Sequence, residues 1–289
     1  MSELYILDAG RADCTVLLLD TPQGRRTVVV DGGGKYHKDR KPLLEFLVQR
    51  NITVIDLLIL THLHQDHFGG FVHLIDRVQA RRAVAPCGDL RFANRVYPVY
   101  GDREFYREYH DFFQYLECSK TELIRSADCA GRTFTFGDYV LECLYPLQNS
   151  TQRSVAYAQA LCDPNLTEEA MAWNLEAYKQ TCNEDSSIWL LRKGGTDLAL
   201  LSGDSTDETM RAALCGRQVR PWLQKLSHHG ICTRYFSEYV QKIIKPEILV
   251  VSVDKIHYTE DMAAQIDTLC AAGDSQCYYT FQGDVNISL

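Results

Sequence analysis

What the chain lacks narrows it first. Its eleven cysteines contain no CxxC or CxxxC pair, which removes the commonest structural-zinc and dithiol signatures. Their odd number leaves no complete disulfide framework. With a polar, acidic "MSELYILDAG" start and no secretory leader in view, they are expected to be reduced and mostly buried, in a cytoplasmic protein. No apolar run approaches the roughly 18 residues of a membrane span, so no membrane partner is expected. There is no basic excess either: 30 Lys and Arg stand against 38 Asp and Glu, a net charge of −8. That balance disfavours broad, non-specific duplex binding but leaves room for a single phosphodiester held locally. No repeat or low-complexity tract interrupts the 289 residues.

What is present reads as strands at both ends with helices between. "LYIL", "TVLLL", "TVVVD" and "DLLIL" have strand texture, "TPQG" marks a hairpin, and "KPLLEFLVQR" is helical. Near the C-terminus "SIWLLR", "LALLSGD", "WLQKLSHHG" and "ILVVSV" resume the strand pattern, followed by a helix near 260–272 and the closing strands "CYYTF" and "VNISL". Between 88 and 182 the texture changes. Phe105, Tyr109, Phe112, Phe113 and Leu116 fall at helical spacing, and Thr167 ahead of Glu168 and Glu169 reads as a helix N-cap. "FTFGDYVLECLYP" reads as a hairpin turning at Gly137 and Asp138. The helical patches could cover a site as a lid or extend the core, and the residues alone leave both open. The aromatics and arginines between 91 and 113 are compatible with stacking a base, as they are with core packing. Strands at both ends predict two stacked sheets flanked by helices, in one domain over 1–289, with 88–182 an insertion or elaboration near the active-site rim.

The dense chemistry lies in "THLHQDHFGG", directly after the apolar "IDLLIL". In extended chain His62 and His64, two apart, project to one side. The chain then turns, so that Asp66 and His67 can face a second position nearby, and Gly69 and Gly70 permit a tight passage into the next helix. Imidazole suits zinc, and a carboxylate shifts preference toward manganese or iron. The pattern predicts two divalent ions, with zinc favoured and manganese or iron possible.

"THLHQDHFGG" resembles the HxHxDH signature of the metallo-β-lactamase superfamily. "VVVDGGG" resembles its aspartate-glycine turn, which puts Asp31 beside the metal loop; "LLSGD" resembles the motif whose aspartate, here Asp204, bridges two metals; "KLSHHG" resembles the last ligand motif. "LDAGRADCTVLLLDTPQGRRTVVVDGGG", "NEDSSIWLL", "LALLSGD", "LQKLSHHG" and "YYTFQGDVNISL" match in order the metallo-hydrolase domain of ComEC-type DNA-uptake channels, over perhaps half the chain, without any channel. The resemblance implies an αββα four-layer metallo-β-lactamase sandwich. It also implies metal ligands His62, His64, Asp66, His67, Asp204 and His229. His62 and His64 would serve one site, Asp66, His67 and His229 the other, and Asp204 both.

The sequence departs from the family pattern in two places. No histidine precedes "LLSGD" by one strand; as in the ComEC-type branch, a polar NxxS block stands there, and Asn183 and Asp185 are the candidates to fill the gap. The usual "GQGD" is "GRAD": Asp13 is kept, but Arg11 is not the expected residue. Strand alternation admits only one of His228 and His229 to the site, if the strand runs through both. Resemblance to phosphorylcholine esterase and its relatives favours His229, which leaves His228 to support the ligands from behind or to contact phosphate. Asp66 and His228 are read as catalytic, with His257 a candidate proton donor, and His37, His73 and His110 as structural or exposed. Lys35, Lys38, Arg40 and Lys41 in "GGGKYHKDRK" could hold a phosphate-containing small molecule or nucleic-acid substrate. The expected function is hydrolysis of phosphodiesters, as in a nuclease, by metal-activated water. A small-molecule esterase or lactonase on the same fold, and a degenerate binding module, are the alternatives.

Overall fold

The computed structural model describes residues 1–92, 103–231 and 242–289, with the side chains of the helix that starts at 103 described from 107 onward. The first half supplies β1 (Glu3–Ile6), β2 (Cys14–Thr21), β3 (Gly24–Gly32), β4 (Val54–Ile55), β5 (Leu57–Ile59), β6 (Gln79–Ala80), β7 (Arg82–Ala85) and β8 (Glu122–Arg125). The second supplies β9 (Thr133–Phe136), β10 (Tyr139–Tyr145), β11 (Ile188–Lys193), β12 (Thr196–Leu201), β13 (Leu223–Lys225), β14 (Ile248–Val251), β15 (Gln276–Tyr279) and β16 (Val285–Ser288). They form two seven-stranded sheets, ordered β16-β1-β2-β3-β5-β7-β8 and β15-β14-β13-β12-β11-β10-β9, with β4 and β6 paired separately.

The two sheets share one plan. In the first, β16 through β3 pair antiparallel and β3 through β8 parallel. In the second, β9 through β12 pair antiparallel and β12 through β15 parallel. The closing strands of the chain lie in different sheets: β15 pairs with β14 and β16 with β1.

Strand alternation builds the layers. Along β2, Leu17 and Leu19 face the core between the sheets, while Cys14, Val16 and Leu18 face outward beneath helices. Along β11, Trp189 and Leu191 enter the inter-sheet core, and Ile188 and Leu190 the opposite face. Because both faces of each sheet are covered, these strands read as nearly continuous apolar runs. Over the first sheet lie α1 (Pro42–Gln49), the single turn α2 (Gln65–Phe68), α3 (Arg103–Cys118), α4 (Arg153–Ala160) and α5 (Glu168–Thr181). Over the second lie α6 (Asp207–Leu214) and α7 (Glu260–Gly273). The architecture is an αββα sandwich.

The 88–182 stretch, expected as an elaboration of the rim, supplies β8 to one sheet and β9 and β10 to the other. Its hairpin turns at Gly137 and Asp138, with Phe136 opposite Tyr139. Tyr109, Phe112, Phe113 and Leu116 of α3 are buried in the core against the first sheet; the Phe105 side chain and residues 93–102 lie outside the described residues. Thr167 caps α5, accepting from the Ala170 N–H at 3.2 Å. Both helices also reach the histidine loop. Tyr178 of α5 donates to the Leu63 carbonyl at 2.6 Å, and Glu108 of α3 accepts from Gln65 at 3.0 Å. The helices therefore extend the core and brace the loop together.

Candidate metal centre

The parallel halves of both sheets end at one edge, and the chemistry collects there. Asp31 lies near the end of β3, and Thr61 to His67 come after β5. Asp204 comes after β12, and Ser227 to His229 after β13. Carboxyl ends of parallel strands are where open sheets leave a crevice. Two close approaches draw the turns together. Gly70 N–H donates to the Gly33 carbonyl at 2.9 Å, and a Cβ at Gly70 would overlap the Gly32 carbonyl oxygen. Gly203 has φ +51°, and its own Cβ would lie 2.5 Å from Thr61 Oγ1.

Two groups of donor atoms share Asp204. One is His62, His64 and Asp204; the other is Asp66, His67, Asp204 and His229, the donors of each group lying within 4.8 Å of one another. In the first, His62 Nε2 is 3.0 Å from His64 Nδ1 and 3.8 Å from Asp204 Oδ2. In the second, His67 Nε2 is 3.3 Å from Asp204 Oδ1, and His229 Nε2 is 3.1 Å from Asp66 Oδ2 and 3.6 Å from Asp204 Oδ2. His67 Nε2 and Asp204 Oδ1 are buried and, beyond facing each other, have no hydrogen-bond partner among the described residues. Orphaned buried groups of that kind need an explanation, and a shared cation supplies one. The imidazole and carboxylate set fits a first-row divalent ion.

A second layer of contacts aims the rings. Thr61 Oγ1 lies 3.1 Å from His62 Nδ1 and donates to Asp31 Oδ2 at 2.8 Å; the Thr61 N–H reaches Asp31 Oδ1 at 2.8 Å. His67 Nδ1 also meets Asp31 Oδ2 at 2.8 Å, and His229 Nδ1 meets the Ser252 carbonyl at 3.1 Å. With each Nδ1 so engaged, the Nε2 atoms of His62, His67 and His229 turn to the centre. A third acidic group, Asp13, Asp31 and His67, belongs to this support, since its carboxylates already serve Lys225 and Thr61. Burial lowers the pKa of His62 and His64, keeping them in the neutral, ligand form. Burial also opposes charge on His67, but Asp204, Asp31 and Asp66 outweigh it and raise its pKa well above the usual value. Burial works against the Asp66 and Asp204 carboxylates too, yet His67 and His229 hold both below their ordinary range.

His228 and His229 are both near Asp204. The strand stops at Lys225, and both histidines adopt left-handed backbone, φ 46° and 56°. Strand alternation therefore does not choose between them: His228 Nε2 lies 3.7 Å from Asp204 Oδ2, beside the buried His229. Burial lowers the His228 pKa to about 4. Asp185 is not brought to the ligands. Its Oδ2 accepts from both the N–H and Oγ of Ser154 at 2.6 Å, at the start of α4. From the same polar block, Ser186 Oγ accepts the Asp204 N–H at 3.2 Å, while Asn183 is buried. His257 is half-exposed, with Nδ1 2.7 Å from Asp254 Oδ1.

Beside Asp66 opens a cleft of about 460 Å³, lined among others by Arg11, Lys35, Tyr36, Glu108 and Asp254. A larger hollow of about 690 Å³ against Asp89, His110 and Lys120 contains none of the candidate ligands. Most cations of the basic loop are engaged. Lys35 pairs with Glu108 at 3.1 Å, Lys38 with Asp8 at 3.8 Å, Arg40 with Glu45 at 3.0 Å, and Lys41 lies over the Tyr36 ring. His37 and His73 have structural partners, Asp8 at 3.2 Å and the Lys35 carbonyl at 2.8 Å; His110 meets Asp89 at 2.7 Å.

Residues 9–115 match the family model described as the metallo-beta-lactamase superfamily. Over that stretch, less than half of the chain, it is similar to that superfamily. It is 30% identical over 100 residues to ComE operon protein 3 of Bacillus subtilis (strain 168), a match that covers 30% of this chain and 13% of that protein. The solved structure of Igni18, described as a metallo hydrolase from Ignicoccus hospitalis KIN4/I, is 12% identical, covers 99% of both chains and has a TM-score of 0.51, a likeness of fold. A diphosphatase of the PhnP family is 12% identical over 96% of this chain and 84% of its own, with a TM-score of 0.47. The chain thus has the fold of a metallo hydrolase and a candidate metal site. No helix among the described residues is long and apolar enough to cross a membrane, and the ten described cysteines are all free.

Proposed function

We propose that this chain is a phosphodiesterase of the ComEC-like branch, using two divalent ions, zinc by preference. His62 and His64 would hold one ion, Asp66, His67 and His229 the other, and Asp204 both. Ions held there would lower the pKa of a coordinated water and take up charge developing on the attacked group. The chain's own residues orient that chemistry. Asp31 and Thr61 aim His67 and His62, and neutral His228, beside Asp204, would donate to a phosphoryl oxygen.

One observation carries the choice of phosphate. Arg11 is exposed, lines the same cleft as Asp66, and makes no ion pair among the described residues. A guanidinium left open beside such a centre suits a phosphoryl group, which it can grip with two parallel hydrogen bonds. The loop cations, expected to do this, already have partners, so Arg11 takes their place. A chromogenic bis-phosphodiester, a monoester and a lactone, assayed with zinc- and manganese-loaded protein, test it. The diester should turn over fastest, and Arg11→Gln should raise its KM by about tenfold, as loss of one charged hydrogen-bonding contact of roughly 1.4 kcal/mol does. A lactone hydrolysed faster than either phosphate, with Arg11→Gln silent, would reverse the assignment in favour of an esterase or lactonase. No bound metal and no turnover of any substrate would leave a degenerate module.

A further inference from the structure

Lysine rarely occupies a fully buried strand position. Lys225 does, at the end of β13, two residues from Leu223, which faces the core between the sheets. Period-two geometry sends Lys225 into that same layer. There its ammonium touches Asp13 Oδ2 and donates to the Gly203 carbonyl at 3.2 Å. Burial pulls Lys225 toward its neutral form, and the adjoining carboxylate opposes that pull.

Asp13 is the other half of the brace. Its N–H donates to the Asp66 carbonyl at 3.1 Å, its carbonyl accepts from Gly33 N–H at 2.7 Å, and its Oδ1 lies 3.4 Å from His229 Nδ1. One ion pair, 212 residues apart in sequence, thus touches the backbone at Asp66, the turn before Asp204, and the ring of His229. Those ligands come from two different sheets. A buried pair is weak as a source of stability, because desolvation offsets most of its attraction. What it does supply is a fixed distance.

We infer that Lys225 and Asp13 are positioning residues that set the separation between the ligands of the first sheet, Asp66 and His67, and those of the second, Asp204 and His229. The inference rests on the metal-centre reading but not on phosphate as substrate. The His62 and His64 pair comes from a single loop and depends on the brace only through Asp204, so the four-ligand group should suffer more.

Full-length protein carrying Asp13→Asn, Lys225→Met, or both is titrated with zinc against a chelator, and metal-free stability is read by urea unfolding. Each single variant leaves a buried charge unpaired and should lose both stability and zinc affinity. The double variant removes both charges, so metal-free stability should return to wild type or above it. Affinity at the tighter zinc site should stay about 10- to 100-fold down, the usual cost of losing support around a ligand. Recovery of zinc affinity together with stability would overturn the inference and make the pair a structural tie. Should the methionine variants not fold, Asp13→Asn alone decides, since it preserves shape: unchanged zinc affinity would overturn the proposal. These titrations involve no substrate, so failure of the phosphodiesterase reading leaves them interpretable.

Discussion

Replacing Asp31 by Asn separates the support of the candidate metal centre from its candidate ligands. Three donors meet this buried carboxylate: the Thr61 N–H at Oδ1, and Thr61 Oγ1 and His67 Nδ1 at Oδ2, each at 2.8 Å. An amide offers one accepting atom and adds two donors. Whichever way it turns, its NH₂ faces at least one buried donor. The backbone does not complicate the comparison, because Asp31 has φ +57°, a region that Asn tolerates as well as Asp. One orphaned buried donor costs about 1–3 kcal/mol. The loss should stay near that range, because His67 still faces Asp204 and Asp66. Urea unfolding of metal-free protein should show that loss as a lower midpoint with an unchanged slope. Zinc affinity should fall by about 10- to 100-fold, because His67 loses the partner that orients it. A stability loss with zinc affinity within about twofold of wild type would refute the orienting role. An unchanged midpoint would refute the hydrogen-bond argument itself.

Asp204→Asn should retain the native fold by circular dichroism but bind one metal equivalent fewer and lose more than about 100-fold in turnover, because a neutral amide is a poor shared ligand. Asp185 should make stability fall with rising pH. Burial, against the hydrogen bonds from Ser154, lifts its pKa from an ordinary 3.8 to about 6, so the folded state holds the proton longer. Its contribution is intact below about pH 4 and declines toward pH 6 by about 3 kcal/mol at most. Urea midpoints of metal-free Asp185→Asn against wild type should therefore move in the variant's favour across that window, and a constant difference would contradict the shift. Gly70→Ala places a methyl against the Gly32 carbonyl, backbone on backbone. It should destabilise by at least the roughly 3 kcal/mol upper end of overpacking costs, measured by thermal unfolding.

Local pattern made part of this molecule legible. His62 and His64 do face one another, 3.0 Å apart, and the apolar runs of β2 and β11 announce strands buried on both faces. Three things did not show, the first two because they depended on contacts distant in sequence. Lys35 and Lys38 looked like open cations because Glu108 and Asp8 lie in other elements. Asp185 looked like a spare ligand because its partner, Ser154, begins a helix 31 residues earlier. The choice between His228 and His229 presumed a continuing strand, whereas two successive left-handed residues, neither of them glycine, bring both rings beside Asp204. A lysine inside the apolar strand "LQKL" was the one available signal of the Asp13 brace. The common cause is charge balance. Residue types announce which groups can bind a metal or a phosphate, but whether a given charge is spent on the protein's own fold depends on partners that only folding assembles. On that account, the cation most informative about substrate is Arg11, the residue that departs from the family pattern, because the fold left it unpaired among the described residues.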